Sequence, residues 1–299
     1  MATFAYQSFE SSSSKTHDAR AIFQRMFTQK ANKLATDESV EALIAPVNPA
    51  MPSEIYEGPA KKAKVEPLDQ GITPTIAFLQ AHIGQMFRNG YSNLGVGLSA
   101  FVCGELDVQG TDFDPMRAFP NLDAHSSAAD KNCQCFTAFV RKEQAGTTKP
   151  LVSGPSYYVL EISGMTVAFV HVPNAICKSS EDASTFYSGI HAAVTQHKAS
   201  GIDIVIGDTN QQQSDFTRNC LNGLKNGTFA NAMSGSSVSP VDNHAYTAKG
   251  TNSGGDKMYD VCVYNTERVA LDQIAYLSQS ATGNTVTDHM GMMVKAHAL

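Results

Sequence analysis

The sequence predicts a mixed-sheet α/β fold built in layers, and three observations carry the prediction. Strand-length apolar runs and stretches with helical spacing are interleaved along the chain, they do not follow a regular strand-helix-strand alternation, and no internal repeat is apparent. At 299 residues with 42% hydrophobic content the chain can bury a large core. One large domain with a tail is the simplest division of that length.

Residues 1–42 read as an N-terminal extension, in which a serine run from Ser11 to Ser14 precedes helical spacing of apolar residues over 16–27, behind the capping-type Thr16. The main domain is expected over 43–299. Residues 40–47 read as its first strand, leading to Asn48 and a turn-rich stretch with Pro49, Pro52, Gly58 and Pro59. An amphipathic helix follows at 75–87, then a strand at 98–103 ending in Gly104-Glu105, and a long polar loop over about 107–132. Strands are expected at 135–141, 157–162 and 166–172, a helix at 183–197, and a buried strand at 202–206. Beyond a Gly/Ser/Asn-rich region, residues 257–264 give another strand and 286–296 the last.

A net charge of −6 and a pI near 5.8 argue against a generally basic surface that coats nucleic acid, but not against a local basic groove or a bound cation. The apolar stretches fall far short of the roughly 20 residues that span a bilayer, and the N-terminus lacks a charged segment leading into an apolar core. A soluble intracellular protein without a Sec-type signal is therefore expected. Six cysteines, at 103, 133, 135, 177, 220 and 262, make no dense disulfide framework and fit a reducing compartment. Cys133-Gln-Cys135 has no second pair at zinc-finger spacing, so zinc is not expected. The segment Pro59-Ala-Lys-Lys-Ala-Lys-Val65 is similar to a short nuclear-import signal, with Lys61 to Lys64 as its basic cluster; three lysines in a solvated loop are the plainer reading.

Two acidic strings carry the chemistry: Gly207-Asp208-Thr209-Asn210 after an apolar run, and Thr287-Asp288-His289 before Met290-Gly-Met-Met-Val294. An apolar run closing on Gly-Asp is a buried strand delivering a carboxylate to a loop, and a period of two places Asp208 and Asn210 on one side. Such residues also serve simply as turn formers. Together the two strings look like metal-assisted phosphoester hydrolysis.

In order, Asn48, Glu105, His171, Asp208 with Asn210, Asp260, and Asp288 with His289 resemble the active-site series of the endonuclease/exonuclease/phosphatase superfamily, the deoxyribonuclease I-like fold, over residues 43–296. Within it, His171 and the segment through Ala193 resemble deoxyribonuclease I and the nuclease subunits of cytolethal distending toxins. The resemblance implies a four-layer sandwich of two mixed β-sheets flanked by helices. It implies Mg²⁺, replaceable by Mn²⁺, held by Glu105 with help from Asn48 and Asp288, with oxygen ligands that leave water on the metal. Asp208 would activate the attacking water and Asn210 would hold the scissile phosphate. His289 would act as an acid/base group with Asp260 fixing its tautomer, and His171 would protonate or stabilise the leaving oxygen.

The chain departs from the family pattern at Thr209, where an aromatic is common, at Met290-Gly291, where proline is usual, and at Cys103-Gly104-Glu105, where the family has Leu-Gln-Glu. No arginine occurs over 154–158, where family nucleases often carry one. A rival register places Gln7 of Phe4-Ala-Tyr-Gln-Ser at the Asn position and Ala81 at the Glu position, which would remove the metal-binding carboxylate. The expected activity is a Mg²⁺-dependent DNA endonuclease, monomeric and without a stable protein partner. The alternatives are a phospholipid or inositol-phosphate hydrolase of the same fold, or an inactive binding protein on this scaffold.

Overall fold

In the computed structural model, residues 1–8, 98–105, 121–127, 136–211, 214–232, 259–277 and 291–299 are described. They form two six-stranded mixed sheets. The first sheet contains β1 (Ala2–Ser8), β2 (Ala100–Gly104), β3 (Leu122–Ser126), β4 (Phe136–Arg141), β11 (Val269–Leu277) and β12 (Gly291–Ala298), in the order β11-β12-β1-β2-β4-β3. The second contains β5 (Thr148–Gly154), β6 (Tyr157–Ile162), β7 (Met165–His171), β8 (Ile204–Asp208), β9 (Phe229–Asn231) and β10 (Asp260–Asn265), in the order β5-β6-β7-β8-β10-β9. Each sheet has a parallel pair near its centre, β1 with β2 and β7 with β8, among antiparallel neighbours.

The sheets face each other because alternate residues of their central strands are apolar on the same side. Phe4 and Tyr6 of β1, Val102 of β2, Val167 and Phe169 of β7, Ile204 and Ile206 of β8 and Cys262 of β10 share one buried cluster. Across it, Phe4 meets Phe169 edge-on at 6.1 Å between ring centroids, and Tyr6 stacks on Phe169 at 6.3 Å. The opposite parity of the second sheet, with Ala168, Val170, Val205, Val261 and Val263, packs on α1 (Ser180–Thr195) and α2 (Ser214–Gly223). Helix α1 starts at Ser179, whose hydroxyl accepts from the Asp182 N–H, and buries Ala183, Tyr187, Ile190 and Val194, one stripe at helical spacing. Three of the four expected layers are thus described.

Several expectations need revision. Residues 2–8, set apart as part of an extension, are the strand between β12 and β2, so the sheet that carries Glu105 begins at the N-terminus. All seven residues of β1 are buried. A strand enclosed on both faces need not alternate polar with apolar, and Thr3, Gln7 and Ser8 hide it among polar residues. The polar loop expected over 107–132 contains β3, and β5, β9, β11 and α2 were not anticipated. The expected elements at 16–27, 40–47 and 75–87 lie outside the described residues, as do Lys61 to Lys64.

Candidate active site

Strand parity aims the functional side chains. The face that packs Val167, Phe169, Ile204, Ile206 and Cys262 into the core continues into His171, Asp208 and Asp260, the last residue on that face at the same end of β7, β8 and β10. His171 and Asp260 are both register partners of Asp208, so three neighbouring strands present an acid, a histidine and an acid side by side. Adjacent strands lie about 4.8 Å apart, within reach of direct contact. Gly207 permits this closeness: its φ is +150°, and a Cβ there would overlap the Val170 carbonyl. Asp208 is 1% exposed and Asp260 fully buried.

Asn210 reaches the site by a different route from the expected one. Strand β8 ends at Asp208, and Asn210 has a left-handed φ of 52°. Its backbone N–H donates to Asp208 Oδ1 at 2.8 Å, an Asx turn that asparagine and aspartate favour. The loop is pinned on its other side, where the Thr209 N–H and hydroxyl both donate to the Tyr259 carbonyl, at 2.8 and 2.9 Å. The Cys177 thiol donates to the Thr209 carbonyl at 3.1 Å, and burial followed by the Asp208 charge pushes it up to about 12, so it remains a protonated donor.

On the facing sheet, Glu105 follows β2 with a φ of 54°, which turns it back towards the site. It is 2% exposed. The Ser8 hydroxyl, at the end of the parallel neighbour β1, donates to Glu105 Oε2 at 2.9 Å. His171 joins the two sheets: Nδ1 lies 3.3 Å from Glu105 Oε1, close enough for charge attraction though off hydrogen-bond alignment, and Nε2 lies 3.5 Å from Asp208 Oδ2. The Asn210 amide nitrogen is 2.9 Å from the Val172 carbonyl and 3.2 Å from His171 Nε2. A donation from that amide to Nε2 places the ring N–H on Nδ1, facing Glu105.

Glu105, His171, Asp208, Asn210 and Asp260 are therefore brought together, while Asn48, Asp288 and His289 lie outside the described residues. Of the residues in the two registers, Asn48 and Ala81 lie outside the described residues, whereas Gln7 and Glu105 can be placed. The strand beside β2 is the Phe4-Ala-Tyr-Gln-Ser segment, yet the acid it faces is Glu105. Within that strand Ser8, rather than Gln7, turns to the site, because alternation groups Gln7 with Thr3 and Ala5 on the other face. The sequence reading missed Ser8, the Thr209 clamp and Cys177. A backbone amide turn and a thiol contact leave no motif, whereas Ser8 had a signal in the strand-like Phe4 to Ser8 pattern.

The donor set fits a hard, water-rich cation. Among the described residues no group of three or more His, Cys, Asp or Glu side chains is placed to hold a metal ion. Mg²⁺ does not require one, since one or two carboxylates with water and substrate oxygens commonly complete its shell. Glu105, buried and turned into the site, is the carboxylate that could hold such an ion.

An α/β sandwich of two facing mixed sheets, with acids and a histidine gathered at one end, is the class that fold and site define. No protein-family model matches the chain, and no curated protein matches it in sequence. Solved structures similar in shape include an endonuclease/exonuclease/phosphatase family protein from Bacteroides thetaiotaomicron, with a TM-score of 0.48 and 13% identity over 72% of this chain and 86% of that one. The human nocturnin catalytic domain gives 0.46 and 13%, over 68% and 82%. A 3'-5' exonuclease from Neisseria meningitidis gives 0.45 and 13%, over 67% and 90%. Similarity at this level bears on neither activity nor substrate. None of the described helices is long and apolar enough to cross a membrane.

Proposed function

We propose that this chain is a metal-dependent phosphodiester hydrolase acting on DNA as an endonuclease. The observation that carries the reading is the convergence of Glu105 and Ser8 from one sheet with His171, Asp208, Asn210 and Asp260 from the other, at one buried end of the inter-sheet core. The sequence resemblance supplies DNA as the substrate class. A hard divalent cation held by Glu105, with Asp288 and Asn48 the further donors the resemblance implies, would offset charge developing on the phosphate.

The remaining roles belong to the chain's own groups. Asp208, with Oδ1 held by the Asn210 N–H, accepts a proton from the attacking water or orients it. The Asn210 amide would exchange its contact with His171 Nε2 for the scissile phosphate, on a backbone fixed by the Asx turn. His171 has both ring nitrogens turned to protein groups, Nδ1 to Glu105 and Nε2 to Asn210 and Asp208. It therefore holds the metal-side acid and the phosphate-side amide in register, and the leaving-group proton would fall to the His289–Asp260 pair that the resemblance implies. The inactive-scaffold alternative supposed a lost metal-binding glutamate, and Glu105 standing in the site counts against it.

A substrate panel tests the reading. Supercoiled plasmid, single-stranded RNA, phospholipid vesicles and inositol phosphates are incubated with protein and Mg²⁺, using wild type and Asp208→Ala. Plasmid nicking that Asp208→Ala reduces by about 10²-fold or more is expected. Nicking that survives the substitution unchanged would sink the assigned mechanism, and turnover of only lipid or inositol phosphate would reassign the substrate.

A further inference from the structure

On one side of the sandwich the sheets end on the edge strands β3 and β5, and a cleft of about 560 Å³ lies between them, floored by Tyr158 of β6. That volume is within the roughly 300–1,000 Å³ of small-molecule sites. Nearer the middle of the sandwich the inner faces are apolar, with Ala138, Val140, Leu160 and Ile162, and at this edge they turn polar. His125 of β3 is the register partner of Ala138, and Ser153 of β5 is the partner of Tyr158, so both stand on the inner faces. Ser153 gets there through a β-bulge. The register shifts between Pro150 and Val152, which makes Leu151 the extra residue, and without it Ser153 would lie on the helix-side face. Tyr158 is 4% exposed and stacks on Phe136 at 6.5 Å between ring centroids. Burial pushes its phenol up to about 12, so it remains a protonated donor. Among the described residues there is no hydrogen-bond partner for the Tyr158 phenol, the His125 ring or the Ser153 hydroxyl. Polar groups that converge on one cleft without partners call for a ligand that pairs with them.

The cleft flanks the catalytic end. Tyr158 pairs with Phe169, two residues before His171, and Phe136 pairs with Gly104, next to Glu105. Strands β3 and β5 are each two places from the strands that lead to Glu105 and His171, a separation of roughly 10 Å. The described lining contains no lysine or arginine, so it is not built for a phosphate. Apolar surface from Pro150 and Tyr158, edged by a phenol, a hydroxyl and an imidazole, suits a flat, uncharged group with donors and acceptors around its rim.

We propose that this cleft takes an unpaired nucleobase of the substrate, from a nucleotide neighbouring the scissile phosphate, with Tyr158, Ser153 and His125 hydrogen-bonding its edge. The inference rests on the nuclease reading above and deepens it by naming what sets the site of cutting. A base that is already unpaired enters without the cost of unstacking, so cutting favours strands that carry one.

Binding is measured with 2-aminopurine riboside, an uncharged fluorescent nucleoside, titrated with the full chain and followed by anisotropy. Saturable binding that inorganic phosphate does not compete away is expected, weakened about tenfold in His125→Ala by loss of a hydrogen bond and at least as much in Ser153→Leu, which also fills the cleft. Competition by phosphate, or variants that bind like wild type, would overturn the inference. A wild-type comparison guards against variants that fail to fold: a duplex with one unpaired base should be cut several-fold faster than the matched duplex, and an abasic residue in place of that base should remove the advantage. Equal cutting of all three would overturn the role of the cleft and leave the nuclease reading standing, as would plasmid nicking without nucleoside binding. Nucleoside binding without cutting of any nucleic acid would overturn the nuclease reading and, with it, the role of the cleft in cutting.

Discussion

Asp208 is held on three sides: by the Asn210 N–H at 2.8 Å, by His171 Nε2 at 3.5 Å, and by the chain itself, whose carbonyl at Asp208 accepts from the Val172 N–H at 2.8 Å. The residue that lets the strand make these contacts is Gly207, pressed on the Val170 carbonyl at a φ that side chains rarely adopt. Gly207→Ala should therefore cost about 1–3 kcal/mol in urea unfolding and depress turnover beyond what that stability loss explains, since Asp208 moves with the strand. Unchanged stability and rate would show that the close approach is not required. At this scale Gly207-Asp-Thr-Asn210 was legible as a buried strand delivering a carboxylate to a turn. Ser8 was not, because its partner Glu105 lies 97 positions further along the chain. Glu105 itself was read correctly as the acid closing a strand, although its left-handed backbone could not have been foreseen.

The elements that carry the site are anchored at their far ends. Arg268 in the turn after β10 donates Nε to Asp203 at 2.6 Å, Nη1 to the Asn226 carbonyl at 3.0 Å and Nη2 to the Ile202 carbonyl at 2.7 Å, while Asp203 also accepts from the Thr166 N–H at 2.7 Å. One guanidinium thus ties β7, β8 and β10 together at the ends opposite His171, Asp208 and Asp260. Asp203 is 4% exposed, so removing its partner strands a buried carboxylate. Arg268→Met should destabilise the fold by about 3 kcal/mol in denaturant titration, whereas a change within experimental scatter would mean that solvent replaces the clamp. The core strands of the second sheet were readable from sequence because β6, β7 and β8 are apolar on both faces. The edge strands β3 and β5 escaped because half-buried and exposed positions dilute their pattern, Asp123 and His125 half-buried and Lys149 and Pro150 exposed. Helix α1 was placed within a few residues because its buried stripe repeats cleanly; it runs over Ser180–Thr195 behind the Ser179 cap instead of the expected 183–197.

For the molecule as a whole, two buried populations set the response to conditions. Cys262 and Tyr158 are pushed up to about 12 by burial, and Cys177 to about 12 by burial and the Asp208 charge, from ordinary values of 9.0 for the thiols and 10.0 for the phenol. The unfolded chain releases these protons as pH passes about 9 to 10 while the folded chain keeps them. Their contribution to stability is therefore fully present below about pH 9 and is lost progressively as pH rises towards 12. Urea midpoints should fall between pH 8 and pH 10.5, and a flat profile would contradict the burial of these groups. The second population is the acid cluster shared by the two sheets, and it links fold to activity. Under the proposed function it would make a bound cation the condition of activity. The most direct test is plasmid nicking as a function of Mg²⁺ concentration, with wild type beside Glu105→Gln. The account predicts saturable Mg²⁺ dependence in wild type and loss of nicking in the variant at every concentration, whereas nicking that persists in EDTA, or a variant indistinguishable from wild type, would contradict it.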